Sequence, residues 1–346
     1  MRIVAAPDKF RGTADARQIA AAVARAADSA GAHCVSVPLS DGGEGMLQAF
    51  GGGNRMDTVT GPLGTPVQAP WRLQPDGIAI IESALACGLA LAGGAQANDP
   101  EAAGTRGVGE LIVAAVRAGA GQVVIGLGGS ASTDGGAGAA AVLRAAGVRG
   151  RGLTGVAVRG SCVRLVVCCD VTTRFSDAAR VFGPQKGAGP GQVARLSARL
   201  AAERARVLAS TGLDLDRVPG SGAAGGLAGG LAALGAELVP GFDAVAAASS
   251  LDAALAGAHL VVTGEGKLDR TSLAGKVVGG VLEHAGRVGV PVLVLAGQVE
   301  PDLVLEPEAT VLDLTVRYGA ERAWRDTTGC VTDAVGRHLR QLAARG

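Results

Sequence analysis

The sequence predicts an α/β protein of two domains, one a Rossmann-like, doubly wound parallel sheet and the other an α/β domain with a mixed sheet. Its 346 residues exceed what a single hydrophobic core usually organises. Short apolar runs alternate with Ala-rich helical patterns at both ends of the chain, as βαβ units require. Between them, from about Arg55 to Ile81, the helical pattern lapses and Pro, Gly and Thr punctuate short β-prone pieces. The expected division is a discontinuous Rossmann-like domain over 1–52 plus 245–346, with an α/β domain inserted over 53–244. The cleft between the two is where an active site is expected.

Residues 3–6 read as the first strand and 14–30 as a helix, with Thr13 as its N-cap and Gly31 as its stop. Residues 35–39 read as a second strand that runs into Ser40-Asp41-Gly42-Gly43-Glu44-Gly45. The more antiparallel middle comprises 57–60, 67–73 and 78–81; helix 108–118, strand 122–127, a helix over about 136–146 and strand 163–169 follow. Leu196, Leu200 and Val207 recur near helical spacing between arginines, which predicts an amphipathic helix over 193–210. The glycine-rich 219–230 resembles a linker in composition, yet it hands over to Leu227, Leu231 and Leu234 at helical spacing. A packed Gly/Ala helix or an anion-binding loop is therefore expected there. Strand 259–263, loop 264–269, helix 275–287, strands 292–296 and 310–316, and helix 331–343 close the chain.

Composition narrows the function. With 32 basic and 31 acidic residues and a net charge of +1, the chain lacks the electrostatic footprint that nucleic acid or an anionic membrane would select. No apolar run approaches the roughly 20 residues of a bilayer span, and the N-terminus lacks the pattern of a secretory signal. A cytoplasmic protein without nucleic-acid or membrane partners is expected; a homo-oligomer is left open. The six cysteines, Cys34, Cys87, Cys162, Cys168, Cys169 and Cys330, show no C-x-x-C and no His at metal-ligand spacing, and read as reduced core residues. Lysine occurs only at Lys9, Lys186, Lys267 and Lys276, the other 28 of 32 basic residues being arginine. A retained lysine suggests a site that wants a compact ammonium rather than a planar fork.

Five expected strands each lead into a loop with glycines and acids: Asp8, Asp41 with Glu44, Asp134, Asp170, and Glu265 with Asp269. In a parallel sheet such loops gather at one edge, where open α/β sheets bind ligands and helix N-termini favour anions. Acids there can hold magnesium or accept a substrate proton. The richest loop, Gly126-Leu-Gly-Gly-Ser-Ala-Ser-Thr-Asp-Gly-Gly136, offers hydroxyls and unhindered N–H groups between a strand and a helix, as a phosphate cradle needs. Gly126-x-Gly128-x-x-Ala131 meets a relaxed dinucleotide fingerprint, but no acid follows about 20 residues later for a ribose hydroxyl. There is no Walker A motif, because Val277 follows Gly275-Lys276, and no His-Arg-Asp kinase signature. His33, His259, His284 and His338 fall outside the acidic loops and read as structural.

Several stretches together resemble the glycerate kinase family of the bacterial glycerate 2-kinase type, which is unrelated to protein kinases. They are Ala6-Pro-Asp-Lys-Phe-Arg-Gly12, Pro38-Leu-Ser-Asp-Gly-Gly-Glu-Gly45, Ile81-Glu-Ser-Ala84, Gly104-Thr-Arg-Gly-Val-Gly-Glu-Leu-Ile112 and Gly128-Gly-Ser-Ala-Ser-Thr-Asp-Gly-Gly136. Cys169-Asp-Val-Thr172, Val181-Phe-Gly-Pro-Gln-Lys-Gly-Ala188, Pro219-Gly-Ser-Gly-Ala-Ala-Gly-Gly226, and Thr263-Gly-Glu-Gly-Lys-Leu-Asp269 with Gly275-Lys276 follow in the family's order. The resemblance implies ATP- and Mg2+-dependent phosphorylation of D-glycerate, most often to 2-phosphoglycerate, in a cleft between two α/β domains. At the first motif the family commonly reads Asp-Ser-Phe-Lys-Gly, whereas Lys9 and Arg11 stand in the second and fourth places here.

Phosphoryl transfer needs positioning and charge neutralisation more than covalent chemistry. The expected nucleotide cradle is Gly128, Gly129, Ser130 and Ser132, with Asp134, Glu265, Asp269 and Lys276 also placed on the nucleotide. Asp41 is expected to accept or orient the acceptor hydroxyl, in a catalytic group with Asp8, Lys9, Arg11 and Lys186. Lys186 and Lys276 would neutralise phosphate, Arg11 would clamp the glycerate carboxylate, and Glu44 and Asp170 would hold Mg2+. Two alternatives stand beside this reading: a kinase for another small hydroxy acid, and a non-catalytic binder of a small anion. Clustered carboxylates disfavour the second, since they repel an anionic ligand.

Overall fold

Ile3, Val4 and Ala5 are buried in succession, as a strand covered on both faces of a parallel sheet requires. They begin a computed structural model that describes residues 1–148, 156–158, 161–303, 305 and 309–344. The strands, in chain order, are β1 (Arg2–Ala5), β2 (His33–Ser36), β3 (Arg55–Thr60), β4 (Pro66–Leu73), β5 (Ile78–Glu82), β6 (Gln122–Gly126), β7 (Val156–Val158), β8 (Ser161–Cys168), β9 (Glu237–Val239), β10 (Leu260–Leu268), β11 (Val292–Val299) and β12 (Ala309–Asp313). They form one parallel and one mixed sheet, the α/β class the sequence predicts. The chain groups into two compact units, Met1–Asp41 with Gln48–Gly51 and Val245–Gly346, and Gly42–Leu47 with Gly52–Ala244.

In the first unit the order is β12-β11-β10-β1-β2, every pair parallel. The chain steps outward from β1 to β2 and, in the other direction, from β10 to β11 and β12. The carboxyl ends of β1 and β10 therefore flank a topological switch point. Ile3, Val262 and Leu293 of the sheet pack with Ile19, Val23, Val331 and Val335 of the covering helices.

Several expected boundaries move here. The strand expected over 259–263 runs on through the expected loop to Leu268. The helix is Ala16–Ser29 and its cap is Asp15, not Thr13: Asp15 accepts the Gln18 N–H at 2.8 Å while Gln18 accepts the Asp15 N–H at 2.9 Å, and Thr13 instead donates its hydroxyl to the Phe10 carbonyl. The second strand ends at Ser36. Val37 and Leu39 still donate to the carbonyls of Ala5 and Pro7, so the chain runs alongside its neighbour as far as Asp41. The strand expected over 310–316 stops at Asp313, whose carboxylate accepts the Val316 N–H at 2.8 Å and starts helix Leu314–Tyr318.

In the second unit the order is β3-β4-β5-β6-β8-β7, with β9 also pairing β8. The β3, β4 and β5 pairs are antiparallel, as the Pro- and Thr-rich middle suggests, and β5, β6, β8 and β9 run parallel. Val123 and Ile125 of β6 pack with Leu111 and Ile112 of helix Arg106–Arg117 and Leu143 of helix Ala137–Ala145. The amphipathic helix spans Pro190–Thr211, longer than expected, since Pro190 suits its first turn and Gly212, at φ 72°, ends it. The 219–230 segment is packed. Ala224, Gly225 and Gly226 take left-handed conformations before the buried helix Leu227–Ala232, and a Cβ on Gly225 would lie 2.0 Å from the Ser132 carbonyl oxygen.

The cysteines depart from expectation. Cys87, Cys168 and Cys330 are buried, Cys34 and Cys169 partly so, and Cys162 is exposed. Cys162 shares the outward phase of β8 with Arg164, while Val163 and Leu165 point into the core. Among the described residues no helix is long and apolar enough to cross a membrane.

Candidate active site

The first unit concentrates acids at its strand ends. Beyond β1, Asp8 donates its N–H to the Gly264 carbonyl at 2.9 Å, and Leu39 donates to Pro7 at 2.9 Å. This threads Asp8 between the chain leading to Asp41 and the chain leading to Glu265. Burial pushes the Asp8 carboxyl up to about 7; the charges of Asp41 and Glu265 add to the rise, and Lys9 opposes it, its N–H bonded to Asp8 Oδ1 at 2.7 Å. Burial likewise raises the Glu265 carboxyl, and its Oε1 is buried with no hydrogen-bond partner. A half-protonated acid flanked by two others at a switch point is suited to accept a hydroxyl proton.

The other expected residues of this unit are placed differently. Asp269 caps a short helical turn by accepting the N–H groups of Thr271 and Ser272 and the Thr271 hydroxyl, and that hydroxyl above all holds its carboxyl below the ordinary value. Its Oδ1 is thus engaged within the turn. Lys276 Nζ reaches the same Thr271 hydroxyl at 3.2 Å. Arg11 is exposed and lines a cavity of about 250 Å³ with Phe10, Gln298 and Trp324.

In the second unit, the chain leaves β6 through Leu127 and Gly128 into Gly129, at φ 54°, then Ser130. Gly128, Gly129, Ser130, Asp170, Lys186 and the left-handed Ala224 help line a cavity of about 450 Å³. Among the described residues, the N–H groups of Gly128, Gly129 and Ser130 donate to no protein acceptor. Lys186 is only 3% exposed, and its Nζ donates to Ser130 Oγ at 2.9 Å and to the Ser132 carbonyl at 2.6 Å. Burial pulls its ammonium down to about 8, while the Asp134 carboxylate favours the charge. Burial also raises the Cys87 thiol to about 12, so the thiol stays neutral. Asn98 fastens this corner by donating to the carbonyls of Ala131 at 3.2 Å and Lys186 at 2.9 Å. A buried cation beside open N–H groups on a cavity wall is an arrangement for a phosphate.

Asp134, expected on the nucleotide, is 3% exposed and fully engaged inside the unit. Oδ2 accepts from the Thr105 N–H, the Thr105 hydroxyl and the Gly138 N–H, and Oδ1 accepts from the Gly136 N–H. It shapes the turn into helix Ala137–Ala145 and ties it to helix Arg106–Arg117. Ser132 contributes its carbonyl to Lys186, while its Oγ is buried without a partner. Asp170 stands on the cavity wall and accepts the Gly241 N–H at 2.7 Å. The Glu44 backbone lies against the glycine loop, since a Cβ on Gly128 would come 3.5 Å from its N.

Glu82 and Asn98 are organising residues that sequence reasoning missed. Glu82 is 6% exposed and accepts the N–H groups of Gly45 and Leu47, each at 3.2 Å. A charged residue closing an apolar strand was the available signal. Among the described residues no group of three His, Cys, Asp or Glu side chains is arranged to hold a metal ion. Mg2+ is normally bound through one or two carboxylates together with substrate phosphates and needs no protein cage; Asp170, on the cavity wall, is a carboxylate of the kind it would use.

Comparison with known proteins agrees over most of the chain. The sequence profile described as "Glycerate kinase family" matches residues 3–316. The chain is 38% identical over 331 residues to the glycerate 2-kinase of Escherichia coli K12, covering 88% of this chain and 87% of that one. It is 38% identical over 338 residues to the glycerate kinase of Bacillus subtilis 168, covering 87% and 86%. A crystal structure from Salmonella typhimurium LT2, assigned as a candidate glycerate kinase 2, superposes with a TM-score of 0.81 at 33% identity, covering 99% of this chain and 98% of that one. With motifs, fold and relatives matching over most of their lengths, the chain belongs to the glycerate kinase family.

Proposed function

We propose that the chain transfers the γ-phosphoryl group of ATP directly to the 2-hydroxyl of D-glycerate, giving 2-phosphoglycerate and ADP. The observation that carries this reading is the buried Lys186 ammonium set beside the open N–H groups of Gly128, Gly129 and Ser130 on one cavity wall. Such donors are fixed before reaction and act where charge builds on the transferred group. Asp170, with Glu44, would hold the Mg2+ that neutralises the phosphate oxygens when it is bound. Asp41 and Asp8 are the proton acceptors of the reading; Asp8, titrating near 7, takes a proton at neutral pH more readily than an ordinary aspartate. Arg11 would pair with the glycerate carboxylate through its fork. Lys9 steadies Asp8 through its backbone N–H, and Lys276 adds positive charge for the nucleotide.

Phosphorus NMR of the product formed from ATP and D-glycerate tests activity, substrate and position together. Transfer to O2 predicts a phosphorus signal split by the single proton on C2. Splitting by two protons would place the phosphate on O3, and no phosphoglycerate at all would exclude the reading. Replacing glycerate with four- and six-carbon hydroxy acids in the same assay tests whether a larger substrate is preferred.

A further inference from the structure

We infer that Ser130 and Lys186 form a nucleophile–base pair, and that Ser130 is itself phosphorylated by a bound nucleoside triphosphate when no acceptor acid is present. The geometry is that of serine–lysine catalytic pairs: Nζ lies 2.9 Å from Ser130 Oγ and is steered by a second bond, 2.6 Å, to the Ser132 carbonyl. Of the loop hydroxyls, Ser130 is the one on both the cavity wall and Nζ. Ser132 Oγ and Thr133 Oγ1 are buried with no partner and line no part of that cavity. The N–H groups of Gly128 and Gly129 beside it would steady the equatorial oxygens of a phosphoryl group in flight.

A buried lysine is a better base than an exposed one, because desolvation favours its neutral amine. The groups facing Nζ are the Cys87 thiol, which stays protonated, and the buried Asp134 carboxylate, with Asp170 on the same cavity. Lys186 itself titrates near 8, so a usable fraction is neutral around physiological pH. In the step, the Oγ–H proton passes to the neutral amine, an Oγ–P bond forms, and the bond from phosphorus to the β-phosphate oxygen breaks. ADP leaves with that electron pair, giving phosphoserine and a lysine ammonium.

The inference rests on the reading that nucleotide phosphates lie at this loop, so the test has an arm without nucleotide. The intact protein is incubated with Mg-ATP without glycerate, and in parallel with an alkyl fluorophosphonate, which a serine–lysine pair attacks with loss of fluoride. Peptides from both are mapped by mass. The expected result is one phosphoryl group from ATP and one phosphonyl group from the probe, both on Ser130. Below about pH 8 the labelling rate should rise about tenfold per pH unit, as the amine is freed. Lys186→Arg, which keeps a cation that cannot act as a base, should lose both labels; should that variant not fold, the wild-type pH profile carries the same test. Absence of both labels at Ser130, or a rate independent of pH, overturns the pair. Labelling by the fluorophosphonate but not by ATP, in protein that still makes phosphoglycerate, overturns the phosphoserine inference alone. The same pattern in protein that makes none overturns the functional reading with it.

Discussion

The carboxylate of Glu82, at the end of β5, accepts the N–H of Leu47 at 3.2 Å, thirty-five residues away in the chain, and holds Gly45 with its other oxygen. The loop that carries Glu44 is thus anchored by a buried acid as well as by its own turn from Gly43 to Met46. Glu82→Gln would keep one acceptor but set an NH2 group against a backbone N–H. A buried unsatisfied donor costs about 1–3 kcal/mol. Urea unfolding is expected to show a loss of that size, and turnover should fall more than the affinity for ATP.

Asp134→Asn should be among the most destabilising conservative changes in the second unit. All four bonds to this buried carboxylate come from donors, so an amide NH2 there meets Thr105 or Gly136 donor to donor. Bonds to a charged acceptor are worth about 1.5–3 kcal/mol each before compensation. The expected loss is about 3 kcal/mol by denaturant titration. The ATP dissociation constant should change only modestly in protein that remains folded.

Much of this was legible in the chain, and the failures have physical causes. Asp8 and Asp41 could be singled out in the chain because each follows a strand of the parallel sheet, the edge where open sheets bind ligands; Glu265 reads as a loop residue, but β10 runs on to Leu268 and contains it. Asp134 carried the same signature, but an acid just before a helix looks alike whether it serves a ligand or the helix, and only the Thr105 contacts decide. Thr13 and Asp15 compete for one cap, and Gln18 settles it by reaching back. Glu82 and Asn98 act on groups distant in sequence, which local patterns do not encode. Cys162 was misjudged because composition ignores strand phase.

Stability should depend on pH in two windows of opposite sign. Asp8 holds its proton up to about 7 in the folded chain against an ordinary 3.8, so between these values the native state binds a proton that the unfolded state has lost. Its contribution therefore falls as pH rises through that window, and Asp8→Asn should flatten the slope. Lys186 releases its proton near 8 rather than 10.5, so between those values the unfolded chain holds the extra proton. Its contribution rises with pH there, and Lys186→Met should remove that rise. Unfolding midpoints measured from pH 4 to 10 check both.

Gly225→Ala and Gly212→Ala should separate. Both glycines have positive φ, 68° and 72°, but a Cβ on Gly225 meets the Ser132 carbonyl at 2.0 Å, whereas one on Gly212 meets nothing within 4 Å. The Gly212 variant is expected to lose about 1–2 kcal/mol, the left-handed strain alone. The Gly225 variant should lose more and should also weaken ATP binding, because Ser132 must move while its carbonyl holds Lys186. Thermal unfolding with calorimetric titration of ATP checks the pair.

The central claim is that Lys186 and the Gly128–Gly129–Ser130 amides grip the nucleotide phosphates. Titrating Mg-ATP calorimetrically into wild-type and Lys186→Met protein tests it directly. Loss of one charge-assisted contact should weaken binding about 10- to 100-fold while the variant stays folded. An unchanged dissociation constant in folded Lys186→Met protein would contradict the account.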